Sequence, residues 1–149
     1  MSRREQLLQA VLAVLRKVDG VDLVERNRTS EVDKSHDTVL LLFDGDLETP
    51  FDRENPRRTP IFRQEATPEI MGWVRGSDAE VGTTRDDLFS RTMQAIWTDD
   101  ALLDLLDEFD GDISVDGTDF YLPQKATSKT RGVFIVGLRL GFTFDPANP

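Results

Sequence analysis

Two aspartates separated by one glycine, Asp44-Gly45-Asp46, close the apolar run Val39 to Phe43. Two carboxylates delivered by a buried strand to a sheet edge can hold Mg²⁺, and one of them can attack a phosphate. Asp-Gly after a hydrophobic run is also ordinary turn chemistry, since glycine accepts the left-handed backbone a turn needs. The residues around the motif decide between the two.

The stretch comes nearest to the haloacid-dehalogenase-like phosphatases, in which a hydrophobic strand ends in Asp-x-Asp-x-Thr/Val. Here Glu48 stands four residues after Asp44, and the threonine comes one place late, at Thr49. Those enzymes also need a parallel sheet and a helix soon after the motif, whereas a proline-rich stretch follows here. A turn is therefore the expectation, with an Mg-dependent phosphatase as the enzyme alternative. Asp99-Asp100, the pair that would supply a second metal contact, follows a predicted helix rather than a strand. The run DEFDGDISVDGTD resembles a calcium loop, but its glycine and terminal acid are misplaced for an EF-hand; it reads as helix ends and turns. His36 is the single histidine and there is no cysteine, which excludes disulfides, thiol nucleophiles and a His/Cys zinc site. No G-x-S-x-G, P-loop or G-x-G-x-x-G occurs. Trp73 and Trp97 read as core or interface residues. No catalytic residue, cofactor or metal ligand is expected.

The formal net charge is −10 over 149 residues, a length that suits a single domain spanning 1–149. The charge is uneven. From Gly76 to Asp119 there are thirteen Asp and Glu against two arginines, Arg85 and Arg91, while elsewhere fifteen acids face sixteen bases. One face or edge should be strongly negative, which argues against gripping phosphates by counterion release. It suits a solvated surface, or one past which nucleic acid slides without sticking. No apolar run approaches the ~18 residues of a membrane span, so no membrane partner is expected. The N-terminal apolar positions are interrupted at helical spacing by Glu5, Gln6, Gln9, Arg16 and Lys17, and no small-residue cleavage site follows. This reads as a surface helix of a cytosolic product.

Leu7, Leu8, Val11, Leu12, Leu15 and Val18 mark that first helix, and Gly20 stops it. Residues 21–26 read as a short strand, 27–37 as a polar connection and 38–43 as the buried strand. A long loop over 46–62 follows, with Pro50, Pro56 and Pro60 and the basic residues Arg53, Arg57 and Arg58. A strand resumes over 63–75, where Pro68 predicts an edge position or a bulge. A helix opens at Thr84 with a capping-box-like Thr84-x-x-Asp87 and carries Leu88, Phe89, Met93, Ile96 and Trp97. A short helix over 101–106 comes next. The remainder reads as strands over 113–115 and 120–122, split by an Asp116-Gly117 turn, and a long last strand over 132–144. With no crossover helix between the second and third strands, a doubly wound parallel fold is excluded. The expectation is α+β: two main helices on one face of a largely antiparallel or mixed sheet.

The whole order resembles the tail terminator proteins of long-tailed bacteriophages, the U-like minor tail proteins. The parts that carry the resemblance run over nearly the full length. They begin with the opening helix ending at Val18-Asp19-Gly20, then Val24-Glu25-Arg26-Asn27, Phe43-Asp44-Gly45-Asp46 and the Arg/Pro-rich loop. They continue with Thr67-Pro68-Glu69-Ile70, Ile96-Trp97-Thr98-Asp99 and Phe142-Thr143-Phe144-Asp145-Pro146. The resemblance implies a structural virion protein, not an enzyme, assembled in the host cytoplasm. It implies a hexameric ring on the head-proximal end of the tail tube, which ends tube growth and takes part in head–tail joining. Its implied partners are further copies of itself, the major tail tube protein and a head-completion or stopper protein, with DNA passing through the lumen. Another head–tail connector or neck protein is the alternative. Phe51, Arg53, Arg57 and Arg58 of the loop, and Asp99, Asp100 and Asp104, are the candidate interface residues.

Overall fold

Ser2 starts the first element by accepting the Glu5 N–H on its hydroxyl (3.1 Å), so helix α1 spans Arg3–Leu15. The computed structural model describes residues 1–32, 35–49, 62–126, 129–146 and 149. Seven elements follow α1: β1 (Leu23–Arg26), β2 (Thr38–Glu48), β3 (Phe62–Gly76), α2 (Val81–Thr98), α3 (Asp100–Glu108), β4 (Asp112–Ala126) and β5 (Lys129–Phe144). The strands form one sheet in the order β1-β2-β3-β5-β4. Only β1 and β2 run parallel; the other pairs are antiparallel. This is the expected α+β architecture, with α3 as a third, shorter helix.

Alternation along the strands sends one set of side chains under the helices. Leu40, Leu42, Ala66, Ile70 and Val74 meet Phe134, Val136, Leu138, Leu140 and Phe142 there, and α1, α2 and α3 add Leu7, Val11, Leu15, Leu88, Ile96, Leu102 and Leu106. The opposite face holds a smaller cluster, Val39, Leu41 and Trp73, with Phe43, Met71 and Val133 beside it. Thr92 of α2 is fully buried, and its hydroxyl has no hydrogen-bond partner among the described residues. An unpaired buried hydroxyl carries its full desolvation cost. Thr92→Val, nearly the same shape without the hydroxyl, is expected to raise stability by about 1 kcal/mol, read as a higher midpoint in urea.

The expected Asp-Gly turns are not turns. β2 runs straight through Asp44-Gly45-Asp46 to Glu48, with a register shift between Phe43, opposite Glu69, and Asp46, opposite Thr67. Gly45 takes a φ of 65° there, so the pair forms a β-bulge. β4 likewise continues through Asp116-Gly117, with its shift between Val115 and Gly117. Each bulge corrects a broken alternation. Without the first, Asp46 and Glu48 would follow Leu40 and Leu42 onto the helix side; with it, Leu47 shares the face of Ala66. Without the second, Phe120 would leave the helix side, where it meets Phe89 edge-on at 5.1 Å.

Both bulges fall on one line across the sheet. The extra residues of β2 lie opposite Pro68, which sits between Thr67 and Glu69 on β3. Asp116 lies beside the Leu138 and Gly137 positions of β5. Pro68 thus occupies a bulge on a central strand, not an edge, at a place where no ladder N–H is required. The loop reading over 46–62 shortens, since β2 ends at Glu48 and β3 begins at Phe62. α2 opens at Val81 rather than Thr84, whose hydroxyl instead donates to the Glu80 carbonyl (3.0 Å). The polar stretch before residue 132 is mostly strand, reaching Ala126 on β4 and resuming at Lys129 on β5.

Candidate functional site

Asp44 is held by Arg26, the last residue of β1. The guanidinium donates to Asp44 at 2.6 and 2.9 Å and to Glu5 of α1 at 2.7 and 2.8 Å. Asn27, held at a φ of 54°, accepts the Asp44 backbone N–H on its side-chain oxygen (3.0 Å). One arginine therefore ties the first helix to the bulge, both of its edges engaged with carboxylates. Hydrogen bonds from Arg26 are the main reason the Glu5 and Asp44 carboxyls both lie below their ordinary range, while partial burial opposes the shift. An aspartate so neutralised is neither a nucleophile nor an open metal ligand. Asp46 is exposed on the far side of the bulge, its backbone N–H and carbonyl both engaged by the Thr67 hydroxyl. Among the described residues no three acids or histidines come together as a metal site.

The lowered carboxyl pKa values fix a sign. Stability contributed by Arg26 is fully present above the unfolded carboxylate range, about pH 4, and is lost as pH falls through the lower folded values. Arg26→Gln is expected to cost about 2 kcal/mol at neutral pH, between the surface and buried limits for ion pairs. The gap between variant and wild type should close toward about pH 2. Urea unfolding at a series of pH values measures it, and a gap independent of pH would show that the carboxylates are not the partners that matter.

Of the candidate interface residues, Asp99 has a structural task. It caps α3 by accepting the Leu102 N–H (3.0 Å) and pairs with Lys17 (3.1 Å). The Leu102 N–H is the first cause of its lowered carboxyl pKa, with Lys17 also contributing. Asp100 and Asp104 are exposed, and Asp107 and Glu108 continue the same side of the helix. Phe51, Arg53, Arg57 and Arg58 lie outside the described residues. The strand ends that bracket them are placed: Glu48 opposes Glu65, Phe62 opposes Phe144, and Arg63 pairs with Asp112 at 2.7 Å.

The α3 acids are not explained by the fold. Asp104 lies one helical turn after Asp100, and Asp107 and Glu108 lie one turn further on, so like charges stand side by side. The last two stand where the helix dipole is already negative, and no basic residue occupies the last turn. None of the four pairs with a described basic side chain.

The sequence reading missed a second feature, on the face of the sheet away from the helices. Arg75 and Arg131 stand directly opposite each other on β3 and β5. Both guanidinium groups stack on Trp73, at 4.9 and 4.6 Å from the ring. Like charges at directly opposed positions disfavour the pairing, and the indole face offsets part of that repulsion. Trp-x-Arg in a strand was the only local signal; the partner arginine comes from β5, far along the chain.

No family model matches the chain, and no curated protein matches it. Two of the solved structures to which it is loosely similar are the following. Bacteriophage SPP1 gp17 protein superposes with a TM-score of 0.42 and 15% identity, over 98% of this chain and 93% of that one. The sheath/tube terminator of an extracellular contractile injection system, PVC, in its extended state, gives 0.42 and 11%, over 96% of this chain and 58% of that one. The chain thus spans little more than half of the second protein. No residue of this chain takes a role from these likenesses. Among the described residues no helix is long and apolar enough to cross a membrane.

Proposed function

We propose that this protein is a virion structural subunit of the tail-terminator type, six copies of which form a ring on the head-proximal end of a phage tail tube. The ring would end tube growth, contact a head-completion protein and let DNA pass through its lumen. The observation that supports this most is the outer side of α3: four exposed carboxylates with no described basic partner, the last two, Asp107 and Glu108, at the negative end of the helix dipole. Such a surface has a use when it faces another charged body, a neighbouring subunit or passing DNA. The engagement of Asp44 by Arg26 supports the non-catalytic reading. Phe51, Arg53, Arg57 and Arg58 of one subunit would meet Asp100 and Asp104 of the next, a heterologous contact of the kind that closes rings.

Light scattering across concentration, with negative-stain images of the same fractions and a tube-capping assay, tests this. A six-fold ring with an open centre, or capping of tube ends by added protein, is the expected result. A protein that stays monomeric and leaves tube length unchanged would end the reading. Arg57→Glu/Arg58→Glu that assembles normally would remove the loop contact alone.

A further inference from the structure

The apolar stripe of α2 is wider than the core it covers. Leu88, Thr92 and Ile96 are buried against the sheet. Phe89, Met93 and Trp97, at successive steps of four, form one flank of the helix. Phe89 meets Phe120 of β4 edge-on, so that flank turns toward the edge strand. On β4, Val115, Thr118 and Phe120 lie opposite the core residues Leu138, Val136 and Phe134, which places them on the helix side. α2 starts with Val81 and Arg85 against Gly132, and Arg85 over Phe120, and it leads through α3 to the start of β4. From Phe89 to Trp97 the helix advances about 12 Å. From Phe120 to Val115, leaving out the bulge residue, the strand covers about 13 Å. Trp97 therefore comes level with Val115. The walls of this groove stay in water: Trp97 is 40%, Val115 45% and Phe120 45% exposed. The sheet ends at β4. Beside the groove Asp86 is held by Arg85 and Asp116 by Arg139, whereas Asp100, three residues past Trp97, and Asp104 have no described basic partner.

We propose that this groove receives residues 47–61, the end of β2 and the segment after it, of a second copy, with Phe51 as the side chain that fills it. This rests on the assembly reading above and adds an apolar seat to its charged contact. Charge selects the occupant. Residues 76–119 carry thirteen acids against two arginines, and both arginines are engaged. Arg26, Arg28, Arg63 and Arg139 hold carboxylates of their own copy. Residues 47–61 bring Arg53, Arg57 and Arg58 together with Phe51. The root of that segment is itself apolar and open: Leu47 is 41% exposed, and β1 pairs with β2 only as far as Leu42. The end of β2 and the groove lie toward opposite edges of the sheet, with β3 and β5 between them. One copy can therefore offer the first while its groove takes the next copy's, head to tail. An aromatic anchor in an apolar seat supplies holding strength, and the arginines reaching Asp100 and Asp104 supply orientation.

Trp97 reports its own burial. In a Trp73→Phe background it is the one tryptophan left, and its emission should lie to the blue where copies associate and move to the red on dilution. Phe51→Ala should leave it red throughout. A synthetic peptide of residues 47–61 added to the Phe51→Ala chain should restore the blue shift saturably. The same peptide carrying Phe51→Ala should need about tenfold more. That ratio should hold in about 0.5 M salt, where the loss caused by Arg57→Glu/Arg58→Glu in the peptide should shrink. Val115→Asp, at an exposed position, should remove peptide binding, with thermal melts confirming that each variant folds. Emission unmoved by the peptide, or equal binding of the two peptides, overturns the proposal. A blue shift that needs Phe51 but ignores concentration places the segment in the groove of its own copy, and overturns the contact between copies. Peptide binding without a ring or tube capping would leave the groove standing and end the ring reading. A ring in which Trp97 stays red would do the reverse.

Discussion

Gly45→Ala is expected to lower stability by about 3 kcal/mol, a fall of roughly 6–12 °C in Tm for a chain of this length. Gly45 sits in the left-handed region at a φ of 65°, where a Cβ costs about 1–2 kcal/mol before any contact is counted. That Cβ would also fall on the Thr67 carbonyl, a backbone group with no freedom to swing aside. The bulge cannot simply revert to regular pairing, because removing it would turn Asp46 and Glu48 toward the helix side and Leu47 away from it. Gly82 is the internal control. It lies in the first turn of α2, and a Cβ added there would meet nothing within 4 Å. Gly82→Ala should match or exceed wild type by about 0.5 kcal/mol. Thermal unfolding of the two variants side by side decides the matter. Equal effects would mean that the bulge carries no strain and that Gly45 is incidental.

The second large effect lies under the helices. Phe134 is fully buried, meets Phe89 edge-on at 5.3 Å, and projects its ring over Gly72, its partner on the neighbouring strand. Phe134→Ala is expected to cost about 4 kcal/mol through lost burial and a residual cavity. Gly72→Ala should cost about 2 kcal/mol for the opposite reason, since its methyl would enter the space the ring fills. The two are therefore coupled. In the Phe134→Ala background the added methyl occupies part of the cavity, so the double variant should be about 1–2 kcal/mol more stable than the sum of the singles. Strict additivity in urea unfolding would show that the ring is not seated on Gly72.

Gly45 and the stripe around Phe134 show where sequence reading stopped and where it worked. The helical spacing of apolar residues in α1 and the alternation from Phe134 to Phe142 were legible because a helix stripe or a strand face is set by spacing within one segment. Asp44-Gly45 and Asp116-Gly117 were read as turns because the local signature of a turn and of a glycine bulge is the same. Both need a residue tolerant of unusual backbone and a polar neighbour. What separates them is whether another strand lies alongside and whether the next apolar residue needs the same face. That depends on β3 and β5, far away in sequence.

By itself the sequence determined the α+β class, the acidic stretch from Gly76 to Asp119 and the lack of cysteine chemistry, because composition and periodicity are properties of the chain alone. Tertiary structure decided that Asp44 is bound by an arginine it shares with Glu5 rather than free to react. It also decided that Asp99 caps a helix while Asp104 does not, and that two arginines from separate strands share one tryptophan. Each of those outcomes rests on groups brought together by sheet pairing and helix packing. A carboxylate's availability depends on its neighbours in space, which its neighbours along the chain do not specify.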